Sequence, residues 1–126
     1  MNTIQVKNFL SDLPLGAVLY FNSLTSTNDE AARWVIEGAP DLALVVADEQ
    51  TAGRGRDGRT WYTPAGSSLA FSLILYPTET VTHVQSRLTA LGALAVHNAL
   101  RKQYNLPSVI KWPNDVLINR QKVAGV

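Results

Sequence analysis

The chain has 126 residues, 46% apolar and 17% charged, with a net charge of +1 at pH 7; that is one globular domain's worth, too apolar for disorder and too short for two independently folding domains. With no cysteine there are no disulfides, thiolate metal sites or cysteine nucleophile, and the near-neutral charge carries no argument for a nucleic-acid partner. No run spans a membrane, and residues 1–10 lack the apolar core of a signal peptide, so the expectation is a soluble, cytoplasmic protein.

Residues 3–12 have the apolar spacing of a short amphipathic helix, broken by Pro14 and Gly16. Ala17 to Leu24 reads as a strand. Thr27 and Glu30 stand at capping-box spacing ahead of a helix through Ala31, Trp34 and Ile36 that stops at Gly38. Leu42 to Ala47 is a buried strand, and Ser68 to Tyr76 a second strong one. Between them, Glu49 to Gly66 holds four glycines, three arginines and a proline without periodicity, so it is a long loop whose glycine content implies mobility. Val84 to Tyr104 has helical spacing, Val109 to Trp112 and Asp115 to Asn119 read as short strands, and Asn119-Arg120-Gln121 turns a hairpin into Lys122 to Val126. The class is α/β or α+β with a mixed, largely antiparallel sheet flanked by helices, and residues 1–126 form one domain. The run ending at Val126 lacks a turn signal, which reads either as a fragment of a longer fold or as a last strand that closes the fold unusually.

Four short segments carry candidate chemistry. In Gly53-Arg54-Gly55-Arg56-Asp57-Gly58-Arg59, glycines permit close backbone approach and arginines bring forked, permanent cations, so the segment suits phosphate or carboxylate. A solvated flexible loop explains it equally well, and it is neither a Walker loop nor a dinucleotide fingerprint. Lys111-Trp112-Pro113-Asn114-Asp115 sets a cation, an amide and a carboxylate beside a rigid proline, although Pro-Asn-Asp alone is ordinary turn chemistry. Ser26-Thr27-Asn28 serves as a helix cap whose polar groups can also face a ligand. Lys122, ahead of Val123-Ala124-Gly125, is by itself an ordinary exposed strand lysine.

Together, in this order and spacing, the four segments resemble the biotin–protein ligases, matching their glycine–arginine loop, KWPND motif, STN helix start and KxxG strand. The resemblance covers about Val18 to Val126. It implies the catalytic fold shared with class II aminoacyl-tRNA synthetases, cut short at its C-terminal side. It also implies ATP and Mg²⁺ as co-substrate and metal, biotin as substrate without a tightly bound cofactor, and the biotin carrier domain of a carboxylase as partner. By the same resemblance, Lys122, Arg56 and Lys111 are catalytic. Ser26, Thr27, Asn28, Gln50, Gly53, Arg54 and Gly125 bind biotin. Arg54, Arg56, Arg59, Trp61, Lys111 and Asn114 hold the adenylate and its phosphates, and Asp115 holds Mg²⁺. Asp57 is expected to pair with an arginine and order the loop, Trp34 and Trp112 to be core, and His83 and His97 to have no role.

The resemblance departs at both ends. The strands and helices that complete the family's adenine site are missing, and Ser26 comes too early for a helix-turn-helix, so no DNA binding is expected. A homodimer is compatible with the reading. The rivals are a lipoate or octanoate ligase or transferase of the same fold, an inactive biotin-binding fragment, and a nucleic-acid module built on the arginines, which the lack of interleaved aromatics disfavours.

Overall fold

The computed structural model describes residues 2–78 and 84–126, in two compact units, residues 1–78 and 79–126. His83 lies outside the described residues.

The first unit is a three-stranded sheet, β1 (Ala17–Phe21), β2 (Ala43–Ala47) and β3 (Ala70–Leu73), ordered β1-β2-β3. β1 runs parallel to β2 and β3 antiparallel to it. β2 is buried along its whole length, as expected for an apolar run with neighbours on both edges and cover on both faces. One face carries Ala43, Val45 and Ile74, packed with Ala31, Ala39 and Trp34 of helix α2 (Thr27–Ile36) and its exit. The other carries Val18, Leu44 and Val46, packed with Val6 of helix α1 (Thr3–Phe9) and with Leu10 and Leu15.

Element edges differ from the sequence reading for local reasons. α1 stops at Phe9, short of residue 12, where the chain enters turns ahead of Pro14. Its start holds a capping box between Asn2 and Gln5. The box expected between Thr27 and Glu30 does not form: Ser26 is the N-cap and makes no side-chain cap bond. α2 does end at Gly38, in a Schellman arrangement: Gly38 (φ 90°) donates to Val35, and Ala39 to Trp34. β3 starts at Ala70 rather than Ser68, because the Ser67 and Ser68 hydroxyls bond back to the Pro64 carbonyl at 3.2 and 3.1 Å.

On β1 the Tyr20 hydroxyl donates to Asp48. That hydrogen bond foremost, with desolvation and the carboxylate's charge, raises the Tyr20 pKa above the usual tyrosine value. The contact therefore favours the fold below the ordinary tyrosine range and fades as pH rises through the raised value. An ultraviolet titration of the four tyrosines should place one transition late. Asp48→Asn should bring that transition down, and an unchanged titration would count against the contact.

The second unit has helix α3 (Val84–Tyr104) and an antiparallel sheet ordered β4 (Ser108–Lys111), β5 (Asp115–Ile118), β6 (Gln121–Gly125). Ser108 and Val116, both fully buried, share the face that α3 covers, where Ser108 bonds His97 Nδ1 at 3.0 Å. The β5–β6 hairpin closes through Asn119 and Arg120, both at positive φ, as a two-residue turn matched to strand twist demands. Trp112, expected in a core, is 62% exposed: it sits in the three-residue turn between β4 and β5, next to a cis Trp112–Pro113 bond. The α/β class with mixed, largely antiparallel pairing expected from the sequence is what the structure has, its strands falling in two three-stranded sheets, one per unit; no helix among the described residues is long and apolar enough to cross a membrane.

Candidate functional site

In the first unit the candidate residues gather where α2 begins, beside the segment that leaves β2. Ser26 and Thr27 are buried there. The Thr27 backbone N–H and hydroxyl both donate to Gln50 Oε1, at 2.8 and 3.1 Å. Gln50 thus satisfies, from 23 positions away, the N–H of the first residue of α2, one of the four helix N–H groups with no partner inside the helix. Gln50 is itself held by Thr63, whose hydroxyl accepts from the Gln50 N–H at 3.1 Å and from Nε2 at 3.4 Å. Ser72, on β3, lies under the same helix start, its hydroxyl 2.9 Å from Thr27 Oγ1 and 2.5 Å from Asn28 Oδ1. Three of the expected biotin-binding residues, Thr27, Asn28 and Gln50, are therefore joined in one polar array.

Ser72 and Thr63 belong to that array and were not singled out from the sequence. Ser72 left a signal: it is the polar residue between Ala70 and Ile74 on the inward face of an otherwise apolar strand. Thr63 left none.

The glycine–arginine segment, read as an irregular loop, closes as a small hairpin. Trp61 N–H donates to Gly53 at 2.8 Å, Gly55 N–H donates to Arg59 at 2.7 Å, and Arg54 bridges Thr60. Its tip is a 3₁₀ turn over Arg56–Gly58, with Asp57 at φ 57°. Gly53 is buried where the hairpin joins the polar array: a Cβ there would lie 2.5 Å from the Trp61 carbonyl oxygen and 2.9 Å from Gln50 Nε2. Only glycine allows so close an approach. Arg54 forms its ion pair with Asp29, on the first turn of α2, rather than with the Asp57 of its own loop; Asp57 takes the turn position instead. Arg56 and Arg59 lie toward the tip with exposed side chains. The three arginines thus stand at different places on the hairpin: Arg54 ties its root to α2, while Arg56 and Arg59 stand at its tip.

In the second unit, Lys111 pairs with Asp115 across the β4–β5 turn, and Asp115 pairs with Gly125 across β5–β6. Directly opposed residues share a face, so these three form a row on the side away from α3. Lys122 lies three residues before Gly125, and strict alternation would turn it to the α3 side. A bulge between Val116 and Leu117 shifts the register so that Leu117 pairs with Lys122. One extra residue reverses the facing of everything beyond it. Lys122 therefore joins Lys111 and Asp115, and its Nζ lies 2.7 Å from Asp115 Oδ1. Asn114 Nδ2 donates to the same oxygen at 2.9 Å. Two lysines flanking one carboxylate leave this face cationic on balance, suited to an anion.

The expectation that Asp115 holds Mg²⁺ meets a different arrangement. Its Oδ1 already accepts from an ammonium and an amide, and among the described residues no group of three or more His, Asp or Glu side chains gathers anywhere. Without substrate phosphates this donor set would not hold a magnesium ion, which usually binds through one or two carboxylates together with those phosphates.

Comparison with known proteins gives these two clusters a context. The sequence pattern of the biotin/lipoate A/B protein ligase family matches residues 19–126. The chain is 40% identical over 109 residues to the bifunctional ligase/repressor BirA of Bacillus subtilis, covering 86% of this chain and 33% of that protein. It is 44% identical over 103 residues to the biotin–[acetyl-CoA-carboxylase] ligase of Paracoccus denitrificans, covering 80% and 42%. Its fold is similar to that of the biotin protein ligase from Aquifex aeolicus in complex with biotin and ATP, with a TM-score of 0.73 and 35% identity, covering 86% of this chain and 44% of that one. The chain thus spans less than half the length of each of these proteins.

Proposed function

The chain belongs to the biotin/lipoate A/B protein ligase family, and we propose that residues 1–126 are part of one catalytic domain that activates biotin with ATP and passes it to a lysine of a carrier protein. In the first step an oxygen of biotin's carboxylate attacks the α-phosphorus of ATP; the bond to pyrophosphate breaks and biotinoyl-5′-AMP forms. In the second, a carrier lysine amine attacks the acyl carbon, AMP leaves, and the amine gives up a proton. The carrier is a carboxylase domain, by likeness to the Paracoccus relative's name, and the reaction belongs in the cytoplasm, in keeping with a chain without cysteine.

The observation that carries this reading is the facing of Lys122. Family resemblance asks for a cation at the reacting carboxylate and α-phosphate, and the bulge turns that lysine onto the face of Lys111 and Gly125. Both lysines then meet charge that builds as the P–O bond breaks, with Lys122 the principal group and Lys111 and Asn114 contacting phosphate or nucleotide. In the first unit, the array of Thr27, Asn28 and Gln50, with Ser26 buried next to it, offers the ureido ring a set of donors and acceptors beside Gly53 and Arg54. Arg56 and Arg59 are the adenylate's cations, with Trp61 at the hairpin base. Magnesium, which family resemblance brings in with ATP, would neutralise phosphate charge. No DNA contact is assigned to these residues, since the arginines cluster only in one hairpin.

Biotin-dependent ATP–pyrophosphate exchange on this chain tests the reading. Arg56→Ala should lower exchange about ten- to a hundredfold, the worth of a charge-assisted hydrogen bond. A folded sample with neither exchange nor saturable biotin binding by calorimetry would overturn it. The family description also covers lipoate ligases, so competition between the two acids decides the substrate: biotin should bind and lipoate should not.

A further inference from the structure

We propose that Asp115 is the positioning residue of Lys122 and does not ligate the magnesium ion. The role this gives Lys122 rests on the ligase reading above, whereas the pairing of the two side chains can be tested without it. Three observations converge. The bulge opposite Val116 and Leu117 turns Lys122 onto the face of Asp115, which unbroken alternation would deny it. Asp115 is the more enclosed partner, with 18% of its side chain exposed against 37% for Lys122, and it stands in register on the central strand of its sheet. Asn114 Nδ2 bonds the same Oδ1 that accepts from Lys122, so the amide fixes the carboxylate and the carboxylate fixes the ammonium.

A lysine head group on four rotatable bonds is poorly placed by itself. A charged hydrogen bond to a strand-held acceptor narrows its positions before any ligand arrives, which is what preorganised electrostatic catalysis requires. The same geometry opposes the metal. A divalent cation at Oδ1 would sit against the ammonium already there, and like charges at such separations repel strongly. Among the described residues no group of three or more His, Cys, Asp or Glu side chains gathers to offset that.

The pairing is read first by competitive acetylation with acetic anhydride, following Lys122 against Lys102 of α3 by mass spectrometry. Asp115→Asn, which keeps the shape and removes the charge, should raise relative labelling of Lys122 severalfold. Millimolar magnesium chloride alone should leave wild-type labelling unchanged. Equal labelling in wild type and Asp115→Asn would overturn the proposal, as would a rise on adding magnesium, the result expected if the ion displaces the lysine. Pyrophosphate exchange then reads the consequence. Asp115→Asn should lower kcat about ten- to a hundredfold, with the KM for ATP and the magnesium requirement unchanged, and should cause no further loss in a Lys122→Ala background. Losses that multiply in the double variant would show an independent role and overturn it. Absence of exchange in the wild type would remove the ligase reading while the labelling still decides the pair.

Discussion

Lys122→Ala is expected to lower biotin-dependent ATP–pyrophosphate exchange by about 10²–10³-fold, the size seen when one preorganised donor is removed from developing charge. The loss should fall on kcat more than on KM, because Lys122 is proposed to meet charge that forms only as biotin's carboxylate bonds to the α-phosphorus. Lys122→Arg should rescue little: the planar fork is wider than an ammonium and cannot keep one point of contact with Asp115 Oδ1. Stability should hardly change, since the Lys122 side chain is 37% exposed and its ion pair lies near the surface. Thermal melting beside steady-state exchange separates these effects. A raised KM with kcat intact would show that Lys122 only binds substrate, and the assignment would fall.

Gly53→Ala should weaken biotin binding beyond detection and destabilise the first unit by about 1–3 kcal/mol, the usual cost of forcing extra volume into a filled place. The new methyl meets a backbone oxygen of Trp61 at 2.5 Å and the Gln50 side chain at 2.9 Å. The first contact can be relieved only by opening the 53–61 hairpin, and the second only by moving the residue that bonds the first N–H of α2. Gly92→Ala in α3 is the matched control. The nearest atoms its methyl would meet belong to the Val126 side chain, the closest at 2.8 Å, and a side chain can turn aside where a backbone oxygen cannot. Denaturant melts and calorimetry with biotin check both variants. Wild-type melting and binding in Gly53→Ala would show that the close approach has no such role.

Both variants bear on features unequally visible in the sequence. Periodicity located every strand and long helix to within a few residues, because burying one face of a strand or helix imposes a spacing that the chain must carry. The Gly38 stop and the Asn119-Arg120 turn were likewise legible, each being a short-range demand on φ. Chemistry written in contiguous residues was legible too: the glycine–arginine segment, Lys111 to Asp115, and Ser26 to Asn28.

Contacts between distant residues were not. Gln50 bonds the first N–H of α2 from 23 positions away, Ser72 bonds Thr27 from 45 positions away, and Asp29 takes Arg54 from 25 positions away. Nothing in the spacing of these residues marks them as partners. By itself, then, the sequence determined the elements, the order of the motifs and the family they resemble, since each depends on neighbours along the chain. Only the tertiary structure decided which side chains meet. A single bulged residue inverts the face of Lys122, and pairing across a sheet depends on register, which a period of two cannot report once it slips by one.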